Sequence, residues 1–176
     1  MTTPAKGLPG ELMMWVLIFS ELAVFGAGLV AFVGVRLTDP AGFANAQDAL
    51  MVELAGLNTI ILVTSGLFAA LACIADTKRA ARMWLGAASL LGVAFLWIKG
   101  IEYSAKAADG ITFETHSFYT FYYLLTGFHA AHVIAGIVIL GLVGWSAQPR
   151  TIQTGAAFWH MVDLVWVLLF PVIYLL

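Results

Sequence analysis

Thr126-Gly127-Phe128-His129-Ala130-Ala131-His132-Val133-Ile134-Ala135-Gly136 lies in the middle of an apolar run too long for the core helix of a soluble domain. At about 100 degrees per residue, His129, His132 and Gly136 share one helical face, and Gly127, Ala131 and Ala135 share another. A histidine cannot be left facing hydrocarbon, and small residues mark the close approach of a neighbouring backbone. The stretch therefore predicts the packed interior of a membrane bundle, with partners on both faces.

The composition agrees. Of 176 residues, 62% are hydrophobic and 10% charged, against a charged fraction of about a quarter in soluble domains. One domain, residues 1–176, is the simplest division, because no linker, low-complexity tract or repeat interrupts the chain. The formal net charge of -2 points to no nucleic-acid partner. The lone cysteine, Cys73, can form neither an internal disulfide nor a two-cysteine metal site, and reads as a small buried hydrophobe.

Residues 1–10 are polar and broken by Pro4, Pro9 and Gly10. They are not read as a secretory leader, because the apolar run that follows is too long for one and carries no cleavage signal. Five spans are expected, at about residues 12–37, 52–75, 83–107, 118–144 and 156–175, since about 20 apolar residues cross the hydrocarbon. Residues 38–49, with Asp39, Pro40 and Asp48, read as a loop, and Gln148-Pro149-Arg150 as a separator. No strand alternation is visible, so the class is all-α. Lys6, Lys78, Arg79, Arg82 and Arg150 fall on one side of the membrane against Arg36 and Lys106 on the other. The expected orientation puts the N-terminus inside and the C-terminus outside.

Charges inside a bilayer cost about 2.5–3.5 kcal/mol on insertion scales, so each needs a reason. Glu21 falls near mid-span. Lys99 with Glu102, His129 with His132 and His160 with Asp163 each repeat an i, i+3 spacing that puts both members on one face. Lys99 and Glu102 are expected to form an intramembrane ion pair. Glu21, His129, His132, His160 and Asp163 are expected to form a buried polar cluster, and Asn58, Thr59 and Ser65, with Thr64, to supply polar packing. A metal site or proton relay is the sharper reading of that cluster, since a carboxylate and histidines one turn apart suit a first-row ion. Interhelical hydrogen bonding is preferred, with no metal ligand and no catalytic residue assigned. Trp15, Trp84, Trp145 and Tyr174, and the run Phe118 to Tyr123, read as interface anchors rather than a ligand box.

Taken in order, these motifs resemble subunit III of the haem-copper oxidases over all five spans. They are Ile18-Phe19-Ser20-Glu21, Leu57 to Leu62, Lys99-Gly100-Ile101-Glu102-Tyr103, Phe121-Tyr122 to His129 with His132, and Trp159-His160-Met161-Val162-Asp163-Leu164-Val165-Trp166. The resemblance implies a cofactor-free, non-catalytic subunit that stands beside a catalytic haem-copper subunit in the bacterial inner membrane. There it holds phospholipids, aids stability and supports proton uptake. Glu21 matches the family's membrane-embedded glutamate, and His132, His160 and Asp163 match its buried polar positions. Many members have seven helices with a lipid cleft beside the leading pair, which this chain lacks. Lys99 stands where many carry a neutral amide. Its compact form looks most like the accessory proteins associated with nitric-oxide reductase, with subunit III of a cytochrome c or quinol oxidase as the alternative.

Two other functional classes make different demands on the sequence. With four histidines, the chain has too few ligands for the haem and copper groups of a catalytic core. An independent metalloprotein would need Glu21, His129, His132, His160 and Asp163 to converge. A proton-coupled transporter would be expected to show inverted repeats and interrupted helices, and neither is visible.

Overall fold

Five long apolar helices and one short helix, with no strand among the described residues, make up the structure, a computed structural model that describes residues 12–176. The polar stretch at residues 1–10, including Lys6, lies outside the described residues. Helix α1 is Leu12–Arg36, α2 Pro40–Asp48, α3 Val52–Cys73, α4 Lys78–Ala108, α5 Ser117–Ser146 and α6 Pro149–Tyr174. The long helices are all apolar enough to cross a membrane, and the chain is a polytopic helical bundle.

Two helices begin earlier than the hydropathy suggests. α4 starts at Lys78 rather than at residue 83, because the Thr77 side chain accepts a hydrogen bond from Ala80 N at 3.2 Å and caps the first turn. α6 starts at Pro149 rather than at residue 156. Proline lacks a donor that the first helical position would leave unpaired anyway, so it opens the helix instead of separating two.

The expected loop at residues 38–49 is largely helix α2. Asp39 caps it by accepting from Gly42 N at 3.0 Å, and Pro40 occupies the first turn. Its apolar side is narrow but fully used, with Phe43 wedged edge-on against Phe32 and Phe118. Polar side chains sew it to the helix ends around it. Arg36 donates to Gln47 Oε1 at 3.3 Å and to the Leu176 carbonyl, Gln47 donates to Ile173 O at 3.1 Å, and Lys106 donates to Ala49 O at 3.1 Å.

His116, the N-cap of α5, joins the same end. Its Nδ1 accepts from Phe118 N at 3.1 Å, so Nε2 carries the proton of the neutral ring and donates to Asp39 Oδ2 at 3.0 Å. That hydrogen bond, followed by the one from Gly42 N, holds the Asp39 carboxyl below its ordinary range. The cap therefore contributes fully above the ordinary carboxylate pKa and is lost as pH falls through the lowered value.

Helix α6 is the hub, packing on α3, α5 and α1 and buried along more of its span than the other long helices. Trp159 explains how. Its indole is wholly buried between Gly92 of α4 and Gly136 of α5, where a Cβ would come within 2.7 and 2.6 Å of the ring. Its Nε1 donates to Ser65 Oγ of α3 at 2.9 Å, and Ser65 in turn donates to Ala88 O of α4 at 2.8 Å. One side chain thus keys four helices together.

The face of α5 carrying Ala131 and Ala135 does not pack as expected. Both are exposed on the bundle's outside, whereas His129, Val133, Gly136 and Leu140 point inward. α5 has its neighbours on one flank, and its opposite flank faces outward.

Gly136→Val should destabilise the protein in detergent by about 1–3 kcal/mol through overpacking against Trp159. Gly141→Val, where a Cβ meets nothing within 4 Å, should leave it unchanged. Thermal unfolding followed by Trp fluorescence measures the difference.

Candidate functional site

The interior polar groups fall into three stations. The first is built on Lys99 and Glu102, one turn apart on α4, with α5 supplying Tyr122 and α6 supplying Tyr174. The Lys99 ammonium spends its three protons on Glu102 Oε2 at 2.9 Å, Tyr122 Oη at 3.2 Å and Tyr174 Oη at 2.7 Å. Each tyrosine passes a proton on, Tyr122 to Glu102 Oε1 at 2.7 Å and Tyr174 to the same oxygen at 2.9 Å. Donors and acceptors close on each other, and the charges cancel within one turn. Tyr103, Tyr122, Tyr174 and Trp166 turn their rings toward the ammonium at 4.8 to 5.5 Å. Lys99 and Glu102 are 2% and 0% exposed, so this is a sealed interior pair.

The second station lies where α1 meets α5. Glu21 Oε2 is 3.1 Å from His132 Nε2, an ion-pair distance at which the ring N–H is not aligned for a hydrogen bond. His132 Nδ1 lies 2.9 Å from Phe128 O, which can only accept, so Nδ1 bears a proton. His129 is not part of this contact. It is wholly buried, neither ring nitrogen has a hydrogen-bond partner, and the imidazole is enclosed by the rings of Phe25, Phe95 and Trp166.

The third station is on the outer seam of α3 and α6. His160 Nδ1 is 4.0 Å from Asp163 Oδ2, too long for a hydrogen bond, and neither Asp163 oxygen has a hydrogen-bond partner. Asp163 leans over Gly66 of α3, where a Cβ would collide with Oδ2. His160 is half-exposed on the bundle's outside rather than buried. The single cluster expected from the sequence is therefore resolved into separate places. Among the described residues no hydrogen bond or ion pair joins Glu21 and His132 to His160 and Asp163, and no three His, Cys, Asp or Glu side chains are grouped to hold one metal ion.

Asn58, Thr59 and Ser65 line the inner face of α3. Asn58 donates to Phe95 O at 3.4 Å, Thr59 accepts from Trp166 Nε1 at 3.0 Å, and Ser65 accepts from Trp159. Thr64 is bonded back to Ile60 O within its own helix.

Tyr174 and the run Phe118 to Tyr123 were expected at the membrane interface, but Phe118, Tyr119, Tyr122 and Tyr174 are buried. The pull is the Lys99–Glu102 pair, whose remaining hydrogen-bond capacity is filled by phenol groups. Depth was the available signal, since α4 and α6 run the same way and Lys99 and Tyr174 both fall in the last third of their helices. Trp145 does stand outside, 87% exposed.

Comparison with known proteins joins this geometry to a family. The model of the family described as cytochrome c oxidase subunit III matches residues 5–176. The chain belongs to that family. A relative called cytochrome c oxidase subunit 3, from Alkalihalophilus pseudofirmus, is 30% identical, covering 98% of this chain and 95% of the relative. Another of the same name, from Synechocystis sp., is 33% identical over 97% of this chain and 78% of its own length. The cytochrome bo(3) ubiquinol oxidase subunit 3 of Pseudomonas aeruginosa is 30% identical over 92% and 82%. These names are those of oxidase subunits, and none of the three supports the nitric-oxide-reductase type expected from the sequence.

Lys99→Met should cost about 3–5 kcal/mol, because it leaves Glu102 buried without its counter-charge. The double substitution Lys99→Met with Glu102→Leu should recover a large part of that loss. Unfolding by detergent titration, followed by circular dichroism, compares the three proteins.

Proposed function

We propose that this chain is subunit III of a terminal oxidase of the haem-copper class, a multi-pass component of the bacterial inner membrane that binds the catalytic subunit and carries no redox group of its own. Its part is assembly and stability of that subunit, with support of proton uptake. The carrying observation is that the family match runs along nearly the whole chain, with relatives named for both cytochrome c and ubiquinol oxidases. The interior geometry supports a scaffold. Most of the buried polar side chains are hydrogen-bonded to side chains or main-chain carbonyls of the same bundle, and no three His, Cys, Asp or Glu side chains among the described residues are gathered around one point.

The orientation belongs to the same reading. Lys78, Arg79, Arg82 and Arg150 crowd the end where α1 begins, which favours that end as cytoplasmic. Arg36 and Lys106, at the other end, are occupied in bonds around α2. Phospholipid partners are supported by an open groove of 630 Å³ between α4 and α5, lined by Arg82, Gly86, Gly141 and Trp145 among others. Arg82 there donates to the carbonyls of Gly144 and Trp145, and its position at the helix ends suits a headgroup phosphate.

An affinity-tagged chain, purified in mild detergent from membranes of its own host, should bring down a haem-containing subunit. That complex should consume oxygen with reduced cytochrome c or a quinol. Recovery of a complex that reduces nitric oxide and not oxygen would revive the nitric-oxide-reductase reading, and a chain purified free of any haem protein would overturn both.

A further inference from the structure

We propose that His116 is an acid-sensitive clasp at the end of the bundle that carries α2. As a neutral ring it holds the starts of α2 and α5 together, and a second ring proton releases the first turn of α5.

The clasp has two jaws. His116 Nδ1 accepts from Phe118 N at 3.1 Å and Nε2 donates to Asp39 Oδ2 at 3.0 Å, while Asp39 Oδ1 accepts from Gly42 N at 3.0 Å. Asp39 caps α2 and His116 caps α5, so one ring joins both helix starts. The fit is close. A Cβ at Gly42 would collide with Asp39 Oδ2 and lie 2.8 Å from His116 Nε2, so glycine is what leaves room for the pair. The ring also stands edge-on to Phe43 of α2, with centroids 5.4 Å apart.

A protonated imidazole has two donors and no acceptor. Its Nδ1–H would face the Phe118 N–H, and turning the ring over would only present the other N–H in its place. The cap of α5 therefore exists only while the ring is neutral. Serine and threonine caps keep their acceptor at any ordinary pH. Thr115 and Ser117 stand on either side, yet the capping side chain is the one whose acceptor a proton removes.

The charges around the ring do not offset that loss. Asp39 is the ion-pair partner, and its carboxyl, held below the ordinary range, stays ionised through the window of about pH 5–8 in which histidine side chains titrate. The His116 and Asp39 side chains are 30% and 52% exposed, so water screens most of what the added charge gains. A positive charge at a helix N-terminus is itself unfavourable. From the other elements at this end, Arg36 of α1 donates to Gln47 and to the Leu176 carbonyl, and Lys106 of α4 donates to Ala49 O. Asp48, Glu53, Asp109 and Glu114 are exposed acids there.

The release is bounded. Phe118 is wholly buried against Phe32 and Phe43, which keeps the helix beyond it closed. What opens is the Phe118 N–H and the connection from α4 that ends at His116. That connection thereby responds to acid in the compartment this end faces.

The clasp stands whether or not the oxidase reading holds, so the test uses the full chain purified from its host membranes with whatever subunits accompany it, in lipid nanodiscs. Amide exchange at Phe118, corrected for the intrinsic effect of pH, is measured from about pH 8 to about pH 5, with the state of the His116 ring read by ¹⁵N NMR in the same samples. At the upper end the ring should carry its proton on Nε2 alone. Protection of the Phe118 amide should then fall about tenfold as the ring titrates, while the amide of Leu140, buried farther along α5, stays as it was. His116→Asn, a cap indifferent to acid, should hold Phe118 equally at both ends of the range. Protection that stays level while the wild-type ring titrates would overturn the proposal. So would a ring that takes up no second proton, or an equal loss of protection in His116→Asn.

Discussion

A positive and a negative charge one turn apart on a single membrane helix impose more order on this chain than any other pair of residues. Neither Lys99 nor Glu102 can be tolerated alone in hydrocarbon, and together they still leave two ammonium protons and one carboxylate oxygen unanswered. Tyr122 and Tyr174 supply the missing partners, so α5 and α6 must present those hydroxyls at one depth and one azimuth. An apolar seam would tolerate sliding. A closed hydrogen-bond circuit in a low dielectric does not, and it turns loose association of α4, α5 and α6 into a single register.

The same logic works with weaker groups elsewhere in the bundle. The indole N–H groups of Trp159 and Trp166 cannot be buried unpaired, and Ser65 and Thr59 of α3 receive them. Gly92 and Gly136 then supply the space that so large a ring requires. At one end the surroundings of α2 do the corresponding work, where Arg36, Gln47 and Lys106 occupy the main-chain carbonyls of Leu176, Ile173 and Ala49. Among the described residues the buried side-chain atoms left without a hydrogen-bond partner are Glu21 Oε2, Asn58 Oδ1, both ring nitrogens of His129 and both oxygens of Asp163.

Most of this architecture was legible from hydropathy and from the i, i+3 spacing of charges. Five spans were visible because burial in lipid demands long apolar runs, and the Lys99–Glu102 contact is local to one helix, so spacing alone determines it. What was not legible depends on neighbours. The placement of Tyr174 and Tyr122 in the core follows from the relative depth of three helices, and the outward turn of Ala131 and Ala135 follows from which flank of α5 has a helix beside it. α2 was hidden for another reason. It is too short and too polar to register as a span, and its signal lay in Asp39-Pro40 as a cap and first turn rather than as a loop. Glu21, His129, His132, His160 and Asp163 carried the right chemistry, but spacing along separate helices could not say which would meet, and the fold distributes them among three places.

The central claim is that charge inside the bundle is neutralised within it, so that the chain serves as a rigid support for another subunit's chemistry. The most direct measurement is the dipolar coupling between ¹⁵N at Lys99 Nζ and ¹³C at Glu102 Cδ, by solid-state NMR of the protein in bilayers. The account expects a strong coupling, corresponding to a separation of about 3–4 Å as for an ion pair in hydrogen-bond contact, with ammonium protons protected from exchange with water. A Lys99 ammonium that shows no coupling to Glu102 and exchanges freely would contradict it.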